Sequence, residues 1–380
     1  MNDHAPTPDA APIHLVDSEG SVASAARVIS AQDMVALDTE FHAERRYHPE
    51  FMLLQVCAPD GQTWLADPRA CEIGSIIRAV STRRVVVHAG QADLGILQRE
   101  ADTAPHDLLD VQIGSAMIGL GYPTRLDTLT RALLDRPLAK QATLSDWSRR
   151  PLQPEQIEYA ASDVRILIPL SERVRRELEA RGRLPWAMAA SEEMATRCTR
   201  PPSTKHHWTD WEIAASMDPA TRATMQAVFE WRDARGRDKD QPPHYMLSDG
   251  LALDVARRRP KSVDALQANR RIPGGLVRRY GQEIVRVVAQ AGALDLEPVD
   301  VPSQAERQAA DALQLWAAIQ AETSGIAAAL AMPRRVALAV ARGGAEALVG
   351  WRAEALGEGV SAFVAGRTGV FLGPGSTQVR

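Results

Sequence analysis

Five residues in this chain of 380 stand where their types and spacing could do chemistry together. Asp38 and Glu40 lie two apart in Met34–Glu40 (MVALDTE), an apolar stretch that reads as a β-strand. A period of two sends both carboxylates to one face. In an apolar setting such a pair repels itself and loses hydration unless a cation lies between the two groups. All-oxygen ligation of that kind suits magnesium or manganese. Asp93 follows a buried strand ending in His88-Ala89-Gly90 and falls in the first turn of a helix. There it could stabilise the helix N-terminus or reach the same cluster. Tyr159 and Asp163 share a helical face at i, i+4, and a phenol beside a carboxylate can position an attacking water. Taken singly, each has an ordinary reading: a strand leaving for solvent, a helix cap, a half-buried tyrosine.

The elements that would hold these groups follow from the pattern. A helix-like stretch (Ser21 to Ser30) precedes strands at Met34–Glu40, Phe51–Ala58 and Gln62–Ala66, the last two joined by an Asp60-Gly61 turn. Short connections make antiparallel neighbours. A helix near Cys71–Val80, the strand Arg84–Ala89, a helix from Ala92 to about Arg99 and a strand at Asp107–Val111 then alternate. That alternation implies parallel pairing beneath helices. The expectation is a mixed five-stranded sheet flanked by helices, with the chemistry at strand ends. No strand is expected beyond Gln153.

Punctuation divides the rest. Residues 1–11, rich in Ala, Pro and Asp, are expected to be disordered. Residues 12–200 form the α/β domain, and Pro201-Pro202-Ser203-Thr204 opens a linker over 201–216. Residues 217–292 read as an all-α bundle, 293–303 as a second linker, 304–372 as another helical bundle and 373–380 as a tail. A shift of 85 positions aligns Leu253, Val255, Ala256 and Arg257 with Leu338, Val340, Ala341 and Arg342, which suggests a repeat.

Composition is that of a soluble globular protein, with 45% apolar and 24% charged residues. No run is long enough to span a membrane, and the N-terminus lacks the basic start and apolar stretch of an export signal. Three cysteines without metal-ligand spacing point to free thiols and a cytoplasmic location. The net charge of −4 conceals an asymmetry. Residues 217–292 carry 14 Lys and Arg against 9 Asp and Glu, whereas 303–380 carry 7 against 6. A basic module suits a polyanionic partner, and a solvated helix face explains the same surplus.

The order of the five residues along the chain narrows the choice. Asp38-Thr39-Glu40-Phe41, His88-Ala89-Gly90-Gln91-Ala92-Asp93-Leu94 and Tyr159-Ala160-Ala161-Ser162-Asp163 resemble the three exonuclease motifs of the DEDD superfamily, in its tyrosine-containing branch. Glu44-Arg45, Tyr47, Pro49 and Leu54-Gln55, with Ser145-Asp146-Trp147, Arg150-Pro151-Leu152 and Gln156, resemble the ribonuclease D pattern around them. Residues 217–292 resemble the helicase-and-RNase-D C-terminal (HRDC) domain, and 304–372 a degenerate second copy. His42 departs from the less polar residue expected there.

The resemblance implies a ribonuclease H-like fold and hydrolytic release of nucleoside 5′-monophosphates from RNA with a single-stranded 3′ end, such as transfer RNA precursors. It implies a monomer using two divalent ions (Mg2+ or Mn2+). Asp38 would bridge both ions, Glu40 and Asp163 would share the one that generates the nucleophile, and Asp93 would serve the other through water. Tyr159 would orient the attacking water. Lys140, Trp147 and Arg150 are candidates to guide the 3′ end, with Trp147 equally readable as core. Arg257, Arg258, Arg259, Lys261, Arg270, Arg271, Arg278 and Arg279 are candidates to face phosphates. The extra acids Asp107, Asp110 and Asp127 read as turn, strand-end or cap residues. The same chemistry on DNA and a catalytically silent RNA-binding adaptor are the alternatives.

Overall fold

A computed structural model describes residues 11–105, 107–138, 146–199, 207–293, 296, 298–373 and 376–379. The expectations for residues 1–10, for Lys140 and for the Pro201–Thr204 linker lie outside the described residues. The sheet contains β1 (Ile13–Val16), β2 (Met34–His42), β3 (Glu50–Cys57), β4 (Thr63–Ala66), β5 (Arg84–Val87) and β6 (Leu108–Asp110), in the order β1-β4-β3-β2-β5-β6. β3 and β4 pair antiparallel, while β2, β5 and β6 run parallel, Ala36 opposite Val86 and Val86 opposite Leu109. The sheet is therefore mixed as expected, but it has six strands rather than five. The extra one, Ile-His-Leu-Val, pairs parallel with β4 at the sheet edge. Four residues with a single buried side chain give too short a pattern to separate from a loop.

Helices cover the sheet because its central strands are apolar on both faces. They are α1 (Glu19–Ser30), α2 (Gly74–Ser81), α3 (Gln91–Ala101), α4 (Val111–Ala116), α5 (Leu126–Leu134), α6 (Pro154–Arg165), α7 (Leu167–Ala180) and α8 (Leu184–Thr199). α6 starts sharply: Pro154 occupies its first turn, and Gln153 and Gln156 form a reciprocal cap.

The chain divides into two compact units. The first joins residues 1–41 and 51–200 to residues 303–380. This last segment forms α14 (Gln304–Ser324), α15 (Ala328–Ala331), α16 (Arg334–Gly343) and α17 (Trp351–Val364). A hairpin of β7 (Val370–Gly373) and β8 (Ser376–Val379) follows, across the end of the expected helical bundle and the expected tail. Leu313, Trp316 and Trp351 enter the same apolar core as Val35, Leu37 and Met194. Polar ties reinforce it. Arg183 donates to the carbonyls of Met117 (2.7 Å) and Ser324 (2.5 Å), and the Ala327 amide donates to the Ala116 carbonyl at 2.8 Å.

The second unit comprises 42–50 and 201–302. It holds α9 (Pro219–Lys239), α10 (Pro243–Met246), α11 (Asp249–Arg258), α12 (Val263–Gln267) and α13 (Gly274–Gln290) around Trp208, Phe229, Trp231 and Ile284. Its segment His42–Glu50 is fixed to α9: the Tyr47 hydroxyl donates to Asp233 at 2.7 Å, and Arg46 pairs with Asp240 at 2.5 Å. The 85-residue offset reappears in the backbone. Shifted by 85, the bounds of α9, α10 and α11 become those of α14, α15 and α16.

Candidate active site

The first carboxylates emerge where β2 leaves the core. Val35, Ala36 and Leu37 are fully buried, and alternation then turns Asp38 and Glu40 to one face and Thr39 to the other. Asp38 keeps some contact with water yet lies deep enough that its charged form is disfavoured. Burial first, and then the charges of Asp93, Glu40 and Asp163, push its pKa well above the carboxylate range. Glu40 is raised to about 8, by burial and then by Asp163, with Asp93 adding a smaller push. Gln55, on the neighbouring β3, offsets part of this. With its amide nitrogen facing them, it donates to Asp38 Oδ2 (3.3 Å) and to the Ala160 carbonyl (3.0 Å), and it also bonds Glu40.

Asp93 reaches the cluster through an unusual turn. β5 ends at Val87, and Ala89 adopts a left-handed conformation (φ 56°) before α3 begins. Gly90 has no freedom to be another residue, because a Cβ there would sit 2.6 Å from Val87 Cγ2. Asp110, at the end of β6, holds the turn by accepting from the Ala89 and Gly90 amides (both 3.1 Å) while capping α4 through Gln112 (2.8 Å). Asp93 then lies in the first turn of α3, only 6% exposed, and accepts a short hydrogen bond from the Thr39 hydroxyl. Burial raises it to about 6 against the pull of that bond.

α6 brings the last two groups. Tyr159 donates its hydroxyl to Asp163 one turn on, and burial raises the Asp163 carboxyl to about 6 despite that bond. The phenol is itself pushed upward, by burial and then by Asp163, Glu40 and Asp38, so it stays protonated as a donor. Buried cations set the helix in place. Arg165 donates to Thr63 Oγ1 (2.9 Å) and the Gly61 carbonyl (3.2 Å), reaching back to the Ala11 carbonyl (2.5 Å).

The structure thus brings all five sequence-derived residues into one electrostatic neighbourhood. Among the described residues no three His, Cys, Asp or Glu side chains already meet as a closed ligand cage. The donor set nonetheless fits hard cations: every group is an oxygen, and each carboxylate is destabilised by the charges of others or by lost hydration. Thr39, Gln55 and Asp110 complete the site. Thr39 and Gln55 stand within the motifs, which give them no role from sequence alone, and Asp110, expected as a strand-end residue, ends β6 and also caps α4.

The guide candidates fare differently. Trp147 is 5% exposed and packs on Met52, Leu53 and Ala160, its ring 6.2 Å from that of Tyr159, so it belongs to the core beneath the site. Arg150 is committed to Asp67 and to the carbonyls of Met52, Trp147 and Arg149, each of the three at 2.8 Å. Its guanidinium ties β3 to the segment before α6. The eight cations of the second unit are exposed at the end of α11, around α12 and at the start of α13. Arg271 pairs with Asp254 at 2.8 Å, and Arg259 lies 3.9 Å from Asp218.

Comparison with known proteins agrees with this arrangement. Residues 13–179 match the 3′→5′ exonuclease family, and residues 221–288 match the HRDC domain. Fold and site together define a 3′→5′ exonuclease, of a family that is metal-dependent in general. A ribonuclease D of Serratia proteamaculans is 31% identical over 275 residues, spanning 70% of this chain and 72% of that protein. That of Pseudomonas paraeruginosa is 27% identical over 367 residues, 91% and 96% of the two. The crystal structure of Escherichia coli RNase D, described as an exoribonuclease involved in structured RNA processing, superposes with a TM-score of 0.83 at 25% identity. It covers 93% of this chain and 99% of that one. The chain belongs to the ribonuclease D family, and it is a hydrolase acting as a 3′→5′ exoribonuclease. No helix among the described residues is long and apolar enough to cross a membrane.

Proposed function

We propose that the protein trims single-stranded 3′ ends of small structured RNAs, transfer RNA precursors among them, one nucleoside 5′-monophosphate at a time. It would do so as a cytoplasmic monomer with two divalent ions. The observation that carries the proposal is the suppression of ionisation at Asp38 and Glu40, by their burial and by the neighbouring charges of Asp93 and Asp163. Like charges held this close in a poorly hydrated place are stabilised by bound cations and by little else. When bound, such ions supply stabilisation of the attacking and leaving oxygens at phosphorus.

The chain's own residues do the rest. Asp38, central to the cluster, would touch both ions, with Glu40 and Asp163 on the nucleophile side and Asp93 on the other. Thr39 and Gln55 hydrogen-bond the carboxylates and would restrain their orientations. Tyr159, a protonated donor beside Asp163, would orient the attacking water. The cations around α11 to α13 would hold RNA through its phosphates, without reading sequence. Full-length protein given 3′-labelled RNA with Mg2+ or Mn2+ should release 5′-mononucleotides, stop on chelation and resume on metal addition. A matched DNA strand should be degraded more slowly. Equal hydrolysis in excess chelator would defeat the metal assignment, and preference for DNA would defeat the substrate assignment.

A further inference from the structure

A cavity of about 370 Å3 lies within the first unit, away from the four carboxylates. Its charged wall is Arg197, Arg335, Arg352 and Glu193, and Tyr122 stands beside them. Arg352 is 8% exposed and packs its guanidinium 4.4 Å above the Trp351 ring. It pairs with Glu193 at 2.6 Å and donates to the Leu330 carbonyl at 3.3 Å, while its buried Nε–H meets no partner. Arg335 takes the other oxygen of Glu193 at 2.5 Å. One carboxylate thus serves two guanidiniums, and the exposed Arg197 adds a third cation. Arginine stays charged at any working pH, so the wall keeps two positive charges in excess.

The apolar part of the lining comes from Ile113, Met194, Leu330 and Pro333. The Tyr122 ring is half-buried in the same lining, where the charge of Asp110 and then those of Arg197 and Arg352 reach its phenol. Cationic and apolar side chains lining one cavity with an aromatic ring, at a volume ordinary for small-ligand sites, match a phosphorylated compound with a flat ring. Arginine forks suit phosphate oxygens, and aromatic rings stack on bases. Gln91, the first residue of α3, also lines the cavity, two positions before Asp93.

The geometry points to a second site for a nucleotide, its phosphate held by Arg197, Arg335 and Arg352 and its base beside Tyr122. The nucleotide is either a free 5′-monophosphate or one unit of the RNA chain. The choice of a nucleotide over other phosphates rests on the exoribonuclease reading; the anion chemistry does not.

Calorimetry on the full-length protein in chelator tests this without metal-dependent binding at the carboxylates. Adenosine 5′-monophosphate should bind, and Arg197→Gln with Arg335→Gln, both on solvent-facing side chains, should weaken it tenfold or more. Tyr122→Leu should weaken the nucleotide but spare inorganic phosphate. If the monophosphate does not bind but a 3′-blocked RNA oligonucleotide loses tenfold affinity in the same double variant, the nucleotide is part of the chain. Should folding of the double variant fail by thermal melt, Arg197→Glu alone gives the same readout. Affinities for both ligands that ignore these substitutions overturn the site. Nucleotide binding that persists in a protein without exonuclease activity would refute the activity and leave the site standing.

Discussion

The two units handle charge in opposite ways. Beside the sheet, four carboxylates share a dry neighbourhood; burial raises the pKa of each, and neighbouring acids add to it at Asp38 and at Glu40, which reaches about 8. In the helical unit, eight cations project from helix ends and loops into water. Buried like charges are costly and demand a counter-ion in a fixed place, which is what chemistry at phosphorus requires. Exposed like charges cost little and are screened, which suits affinity without geometry. Position relative to water separates the proposed catalytic acids from the proposed RNA-binding cations more sharply than residue type does.

Three experiments would break or sharpen that contrast. Asp38→Asn should cut kcat by about 10³ or more, because it removes the ligand central to the cluster, while RNA affinity stays within about twofold. Near-normal turnover with saturating metal would mean that the acids do not act as one site. Replacing Arg257, Arg258, Lys261 and Arg270 together by Gln should do the reverse. RNA affinity should fall about tenfold at low salt and the salt slope should flatten by about 0.7 for each lost phosphate contact, with kcat on a short strand unchanged. An unaltered slope would show that these residues merely hydrate their helices.

The smallest effect concerns stability against pH in the metal-free protein. Glu40 ionises at about 8 when folded against an ordinary 4.5, and Asp93 and Asp163 at about 6 against 3.8. Between those limits the folded state binds more protons than the unfolded one, so stability falls as pH rises from about 4 to 8 and then levels. Thermal melts in chelator should lose a few degrees over this window, and Mn2+ should restore them most at the alkaline end. A flat profile would show that the acids are less crowded than the structure has them.

Much of the catalytic unit is legible in the sequence, for identifiable reasons. Alternation in MVALDTE fixes the shared face of Asp38 and Glu40, and i, i+4 spacing fixes Tyr159 against Asp163. Three elements resist reading. β1 and the β7–β8 hairpin are built from four-residue strands, too short for a period to register. The roles of Thr39, Gln55 and Arg150 depend on partners 54, 17 and 83 positions away, which no local pattern encodes. Nor does the alanine-rich face of α14 announce that it joins the core of the sheet; amphipathicity says that a face is covered but not by what.

That shared core bears on how the protein comes off the ribosome. All five proposed catalytic side chains have been translated by residue 163, yet part of the unit's core is supplied by Leu313, Trp316 and Trp351. A nascent chain therefore carries its complete chemistry long before it can finish packing it. A message cut short after residue 302 would yield a polypeptide with every proposed catalytic acid present and an apolar surface left bare, a substrate for proteases rather than a smaller enzyme.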